Sequence, residues 1–285
     1  MIIKDRGPWQ DTWRQLLANK AAIISLLLIS LISVTVTIGP ALLPYEFDEC
    51  DFDLISIPPD LASMHLFGTD SVGRDLLVRT LVGGRISMMI GIAATFVSLV
   101  IGVSYGAIAG YYGGRIDAVM MRFVDILYAM PFMFFVILLM VLFGRNILLV
   151  FVAIGAVNWL DMARIVRGQT LSLKRMEFVE AARACGISSG RIIRRHIIPN
   201  LLGVVVVYVT LTIPQVILVE SFLSFLGLGV QEPDSSWGSL VNEGAQEMES
   251  SPWMLVFPAG FLVITLFCFN FIGDGVRDAL DTKER

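Results

Sequence analysis

Histidine, cysteine and charge are all scarce in this sequence. Two histidines and three cysteines occur among 285 residues, and only 16% of the chain is Asp, Glu, Lys or Arg. So few cysteines exclude a disulfide-built scaffold, and Cys50, Cys185 and Cys268 lack the spacing of metal ligands. The charged fraction falls well below the roughly 25% of a soluble domain. A net charge of −4 gives no electrostatic reason to expect nucleic acid as a partner. A phosphate loop of the form G-x-x-x-x-G-K-[ST] is absent, and no catalytic triad or metal cluster suggests itself. Gly227-Leu228-Gly229 is no dinucleotide loop, because it follows an apolar run and lacks the third glycine.

Apolar residues are what the chain has in excess: 56% of it, with a mean hydropathy of +0.76. Crossing roughly 30 Å of hydrocarbon takes about 20 helical residues. Six stretches qualify: Ala21–Leu43, Arg85 to about Gly110, Val119–Phe143, Ile147–Ile165, Leu201–Leu226 and Trp253–Ile272. The fourth is the shortest, with Asp161 and Arg164 at its exit. The first is too long for the roughly 7–15-residue core of a cleaved signal, so it reads as a retained anchor. Seventeen of the 21 Lys and Arg residues fall on one side if the N-terminus is inside. Only Arg74, Arg79, Arg85 and Arg145 fall outside. This bias predicts cytoplasmic termini. The expected fold is an all-α integral membrane protein of six transmembrane helices.

Residues 1–20 carry Trp9, Trp13, Leu16 and Leu17 at the spacing of an amphipathic helix, which suits the inner membrane surface. Segment 21–43 is the first span, 44–85 an outer loop with a short helix, 86–273 a five-helix core, and 274–285 an inner tail. In the outer loop, Leu76, Leu77, Thr80 and Leu81 share a helical face, with Arg74, Asp75 and Arg79 elsewhere and Asp70 or Ser71 as the cap. That helix either lies on the membrane surface or gates a pore mouth. His65 is alone and reads as structural. Gly102, Gly106, Gly110 and Gly114 repeat every fourth residue, the pattern that lets another helix approach closely. Pro131 and Pro214 predict bends in the third and fifth spans. The last outer loop, about 227–252, has Glu232, Asp234, Glu243, Glu247 and Glu249 but no Lys or Arg. It is either a solvated loop or a surface for a basic partner. Glu220 is the exception in otherwise uncharged spans, and the simpler reading carries it to the outer interface.

The inner loop at 166–199 is too long for a connector. Its stretch Lys174–Gly190 is Ala-, Glu- and Arg-rich, which favours helix, with Phe178, Val179, Ala182 and Cys185 on one face. Gly186 stands where a helix ends in the left-handed conformation, and Ser188 is placed to cap a second short helix reaching His196. Pro199 then opens the next span. Physically this is a helix–glycine–helix elbow suited to docking a partner, with a basic loop facing anionic lipid as the rival.

Glu180-Ala181-Ala182, three residues, Gly186, and a run ending Ile198-Pro199 resemble the EAA loop of ABC importer permeases. His196 and Ile198 depart from the general pattern, but Arg195-His196-Ile197-Ile198-Pro199-Asn200 resembles the variant of the peptide and nickel permease branch. Phe67-Gly68-Thr69-Asp70 with Gly73-Arg74-Asp75, Ser224–Val230 with Ser236-Trp237-Gly238, and Phe269–Gly275 resemble other segments of that branch, in order and at matching spacing. The whole chain is similar to the second, C-type permease subunit of peptide importers, with oligopeptide transport favoured. The resemblance implies the type I ABC importer permease fold in a bacterial inner membrane, and a non-catalytic subunit. It also implies a heterodimer with a related permease, two cytoplasmic ATPase subunits that bind the ATP and Mg, and an extracytoplasmic peptide-binding protein. It assigns Glu180, Ala181, Ala182 and Gly186 to the coupling of ATPase and permease. Dipeptide or nickel import remain alternatives within the family. An ATP-independent carrier or a membrane scaffold are the alternatives outside it. Against a carrier stand the near absence of ionisable residues in the spans and the lack of an evident internal repeat.

Overall fold

The computed structural model describes residues 8–143 and 147–281. Lys4, Arg6, Arg145, Lys283 and Arg285 of the charge count lie outside the described residues. Among the described residues the chain is helical, with one isolated bridge between Thr69 and Asp75 and no strand.

The helix starts follow from polar caps set before apolar runs. α1 (Pro8–Ala18) leads into Asn19, whose side chain accepts from the backbone N–H of Ala21 at 3.1 Å and Ala22 at 3.2 Å. These bonds satisfy two of the donors that α2 (Lys20–Leu42) leaves open at its start. α1 packs beside the far end of the chain, where a side chain on Gly275 would collide with Ala22 and Leu16.

α3 (Leu76–Tyr112) starts on Asp75, which accepts from the Val78 N–H at 2.8 Å. The cap is therefore Asp75 and neither Asp70 nor Ser71. The helix then runs 37 residues without a break, about 55 Å at 1.5 Å per residue. The expected surface helix and the second span are thus one rod, because nothing between Leu76 and Tyr112 interrupts the helical hydrogen bonding. Gly113, at φ +68°, ends it.

α4 (Gly114–Ala129) and α5 (Phe132–Phe143) meet at Met130-Pro131, and their axes differ by 85°. Proline cannot donate to the preceding turn. α6 spans Ile147–Leu173. After α7 (Glu177–Ala184) the chain climbs through α8 (Ser189–Ile192), a π-turn at Ile193–Ile197 and α9 (Ile198–Phe225) as one continuous run. The expected short helix to His196 is therefore not separate from the fifth span. The π-turn suits the proline that follows: Pro199 has no N–H, and its ring needs room beside the carbonyl four residues earlier. α10 (Trp237–Gln246) is a short return helix, capped by reciprocal Ser236 and Ser239 bonds. α11 spans Trp253–Asp281.

Four runs are long and apolar enough to cross a membrane: α2, α3, Ser189–Phe225 and Trp253–Leu280. The bent α4–α5 pair would make a fifth. The expected six are not reached among the described residues. The remaining stretch lies in α6, which carries Asp161, Arg164 and Arg167 along its second half.

The α3–α6 seam is the most extensive helix contact in the molecule. A Cβ on Gly102 would fall 2.6 Å from Met162, on Gly106 2.4 Å from the Ala163 carbonyl, and on Gly110 2.7 Å from Thr170. The small-residue stripe is a contact face. Gly114 is not part of it, since nothing lies within 4 Å of its missing side chain; it opens α4 instead.

Candidate functional site

The elbow forms where α6 ends and α7 turns back. α7 stops at Cys185, and Gly186 takes φ +77°. The Gly186 N–H donates to the Arg183 carbonyl at 3.0 Å and the Ile187 N–H to the Ala182 carbonyl at 3.1 Å. This is the paired closing pattern of a helix ended by a left-handed residue. Open space surrounds the position a Gly186 side chain would take. Glycine is therefore required by backbone conformation and not by crowding. Ser188 occupies the cap position of α8 through its carbonyl, which accepts from Arg191 and Ile192; its side chain makes no capping bond.

α7 buries only Val179 and Ala182. Of the four residues expected on one face, Phe178, at 42% exposure, and Cys185 are exposed, and Val179 and Ala182 are buried. Val179 and Ala182 join Ile192, Ile193 and Ile197 in one apolar cluster with Val103, Ala107 and Tyr111 of α3 and Met162 and Val166 of α6. Polar contacts reinforce this anchorage. Lys174 Nζ donates to the Gly110 carbonyl at 2.7 Å, at the end of α3. The Arg183 guanidinium lies 5.5 Å from the Tyr111 ring centre. Arg167 of α6 pairs with Asp117 of α4, the Nη2–Oδ2 distance being 2.6 Å. The elbow is thus bolted to the α3–α6 pair. Its outer surface carries Glu180, Ala181 and Gly186, all exposed. A cleft of about 410 Å³ beside it is lined by Tyr111, Tyr112, Lys174, Arg175, Glu180 and Arg183.

The opposite end of α3 carries a second polar assembly. Asp70, fully buried, accepts from Arg74 Nε at 2.7 Å and Arg79 Nη1 at 2.6 Å, and also from the backbone of Val72 and Arg74. Arg74 reaches Glu232 at 3.0 Å, and Arg79 reaches Glu243 at 2.6 Å. Burial works against the charge on Arg74, but the hydrogen bonds and charges of Asp70 and Glu232 outweigh it and hold the guanidinium above its ordinary range. His65 Nδ1 lies 2.8 Å from Asp75 Oδ2, and its ring stacks on Tyr45. Glu220 is fully buried and accepts from Ser87 at 3.0 Å and Ser224 at 2.7 Å. Ser87 in turn accepts from the Trp237 backbone.

These contacts bear on three readings. Arg74 and Arg79, placed off the apolar face of the expected outer helix, are buried. Glu232 and Glu243 meet those arginines within the chain, although Glu232 stays largely exposed. Glu220 does not reach the interface: it is fully buried and held by two serine hydroxyls. A signal for the first two was available: opposite charge in two loops assigned to the same side. Among the described residues no three His, Cys, Asp or Glu side chains gather as metal ligands would.

Comparison with known proteins decides the family. Residues 102–285 match the family model described as "Binding-protein-dependent transport system inner membrane component". The chain belongs to this family of transport permeases. A second model, the N-terminal TM domain of oligopeptide transport permease C, matches residues 7–59 of this permease. The oligopeptide transport system permease protein OppC of Escherichia coli (strain K12) is 61% identical over 283 residues, covering 99% of this permease and 94% of that protein. OppC of Haemophilus influenzae is 58% identical over 285 residues, covering 100% and 92%. The dipeptide transport system permease protein DppC of Bacillus subtilis is 46% identical over 277 residues, covering 97% and 86%. Among solved structures, a chain of the MetNI methionine ABC transporter in an inward-facing conformation aligns at a TM-score of 0.57 and 20% identity. It covers 70% of this permease and 94% of that chain, and it bears on the fold alone. The permease is a membrane-embedded ABC transporter subunit of the type I fold.

Proposed function

We propose that this permease imports oligopeptides as one of two related membrane subunits, driven by two ATPase subunits that dock on the elbow. The observation that carries this reading is the two-sided character of α7. Its inner side is fixed to α3 and α6 by Val179, Ala182 and Lys174. Its outer side leaves Phe178, Glu180, Ala181 and the Gly186 turn exposed.

Such a joint transmits motion. The ATPase pair would hold the ATP and Mg, whose binding would supply the free energy for its closure. The elbow follows, and the α3–α6 pair moves with it as one body, because their seam has no slack for sliding. The spans swing between inward- and outward-facing arrangements, a two-state element biased from two sites. A peptide delivered by an extracytoplasmic binding protein enters the outward-facing opening, and hydrolysis resets the complex. In this reading the termini and the elbow are cytoplasmic, and the Asp70–Arg79 assembly lies at the outer face.

Oligopeptide is preferred over dipeptide because the more identical relatives carry the oligopeptide name. The test is reconstitution of the full complex in vesicles, with labelled peptides of two and of five residues. Binding-protein- and ATP-dependent uptake of the longer peptide is the expected result. Uptake confined to dipeptides would move the substrate class. Uptake indifferent to ATP would overturn the reading.

A further inference from the structure

The run Ser189–Phe225 starts with three arginines on its first two turns. Arg191, Arg194 and Arg195 are exposed and line one cleft of about 570 Å³ with Gly190 and Pro199. None of the three makes an ion pair among the described residues. Like charges three and four residues apart on a helix repel, so an unneutralised triad is held at a cost. The nearest acid along the chain, Glu180, faces the other cleft with Lys174 and Arg183.

The helix is two-sided at this point. Ile192, Ile193, Ile197, Leu201 and Val205 are buried in the elbow's core. The outward side passes from the arginines to Pro199, which is exposed, and Leu202, at 42% exposure. The surface is therefore cationic at the mouth and apolar directly along the membrane-crossing run. The three arginines line their shared cleft beside the π-turn at Ile193–Ile197.

We propose that this cleft binds the head group of an anionic phospholipid, its phosphate among the three guanidiniums and its acyl chain along Pro199 and Leu202. Guanidinium forks match phosphate oxygens in pairs, and basic clusters beside a span draw anionic lipid. An acidic protein surface would answer the charges but would leave the apolar continuation into the membrane without a use. The choice of the inner leaflet rests on the cytoplasmic placement of the elbow proposed above; the binding itself does not.

The test compares the full complex with its R191Q/R194Q/R195Q variant in nanodiscs of phosphatidylcholine containing graded phosphatidylglycerol. Bound lipid is counted by native mass spectrometry after transfer to mild detergent. A factor of about five per cation predicts a loss on the order of 100-fold in phosphatidylglycerol affinity for the variant, with the triple Lys replacement intermediate. Equal retention by wild type and variant would overturn the proposal. So would displacement of the lipid by millimolar inorganic phosphate, which would mark a free-anion site, or cross-linking of these positions to a protein subunit alone. Should the triple variant fail to accumulate, R194Q and R195Q are measured singly, each expected to lose about fivefold. Because the readout uses neither ATP nor peptide, lipid retention without ATPase recruitment would contradict the proposed function and leave this site standing.

Discussion

The two ends of α3 handle charge in opposite ways. At its start, Arg74 and Arg79 are buried, Arg74 meeting two carboxylates and Arg79 three, with Asp70 and Glu232 shared between them. At its end, the elbow and the turns after it expose Arg175, Glu180, Arg191, Arg194 and Arg195, none in an ion pair among the described residues. The first assembly is closed: its buried charges are neutralised within the chain. The second is open, and its surface has use only when something else covers it. A charge cluster in a membrane protein is thus read by whether its own chain neutralises it, not by its residue types.

Breaking the closed end should cost most. Asp70→Ala removes the buried carboxylate that both guanidiniums share and unpairs two loop N–H groups, for a loss of about 3–5 kcal/mol. We expect the subunit to disappear from membranes, measured by immunoblot of the membrane fraction; normal accumulation would contradict the closed assembly. Next comes the rod between the ends. Gly106→Val drives a side chain into the α6 backbone at Ala163, costing about 1–3 kcal/mol and lowering the thermal midpoint of the purified subunit. Gly186→Val at the open end forces a β-branched residue into the left-handed region at about 1–2 kcal/mol. That strain is local, so the subunit should stay in the membrane while peptide uptake falls, and Gly186→Asn should restore part of it. Uptake unchanged in the valine variant would remove the elbow from coupling. Glu180→Lys should leave stability within about 0.5 kcal/mol yet uncouple ATP hydrolysis from uptake. A tightly coupled Glu180→Lys complex would contradict the account.

Apolar runs and the glycine that ends α7 were legible without coordinates because they are local, whereas the N-caps were not: Asp75 caps α3 and the Ser188 side chain makes no capping bond. The Ala-rich helix, the left-handed glycine and the small-residue stripe each follow from a few neighbours in sequence. The Asp70–Arg79–Glu243 network was not legible, because Arg79 and Glu243 are 164 residues apart and only the fold brings them together. The burial of Glu220 escaped for the same reason: its partner Ser87 lies 133 residues away. Which residues of the α7 face are buried was not legible for another reason. Eight residues make just over two turns, and so short a helix is rotated by what it packs on. Here the contact with α3 and α6 admits Val179 and Ala182 but not Phe178.

The molecule carries its own probes for the central claim. Cys185 is exposed on the elbow, Cys50 is exposed at the other end, and Cys268 is buried. The most direct measurement is maleimide labelling of these thiols in the permease pair, with and without the ATPase subunits and with no binding protein present. The account predicts that the ATPases protect Cys185 and leave Cys50 as reactive as before. Equal labelling of Cys185 in both samples, with the ATPases demonstrably bound, would show that the elbow is not where they dock.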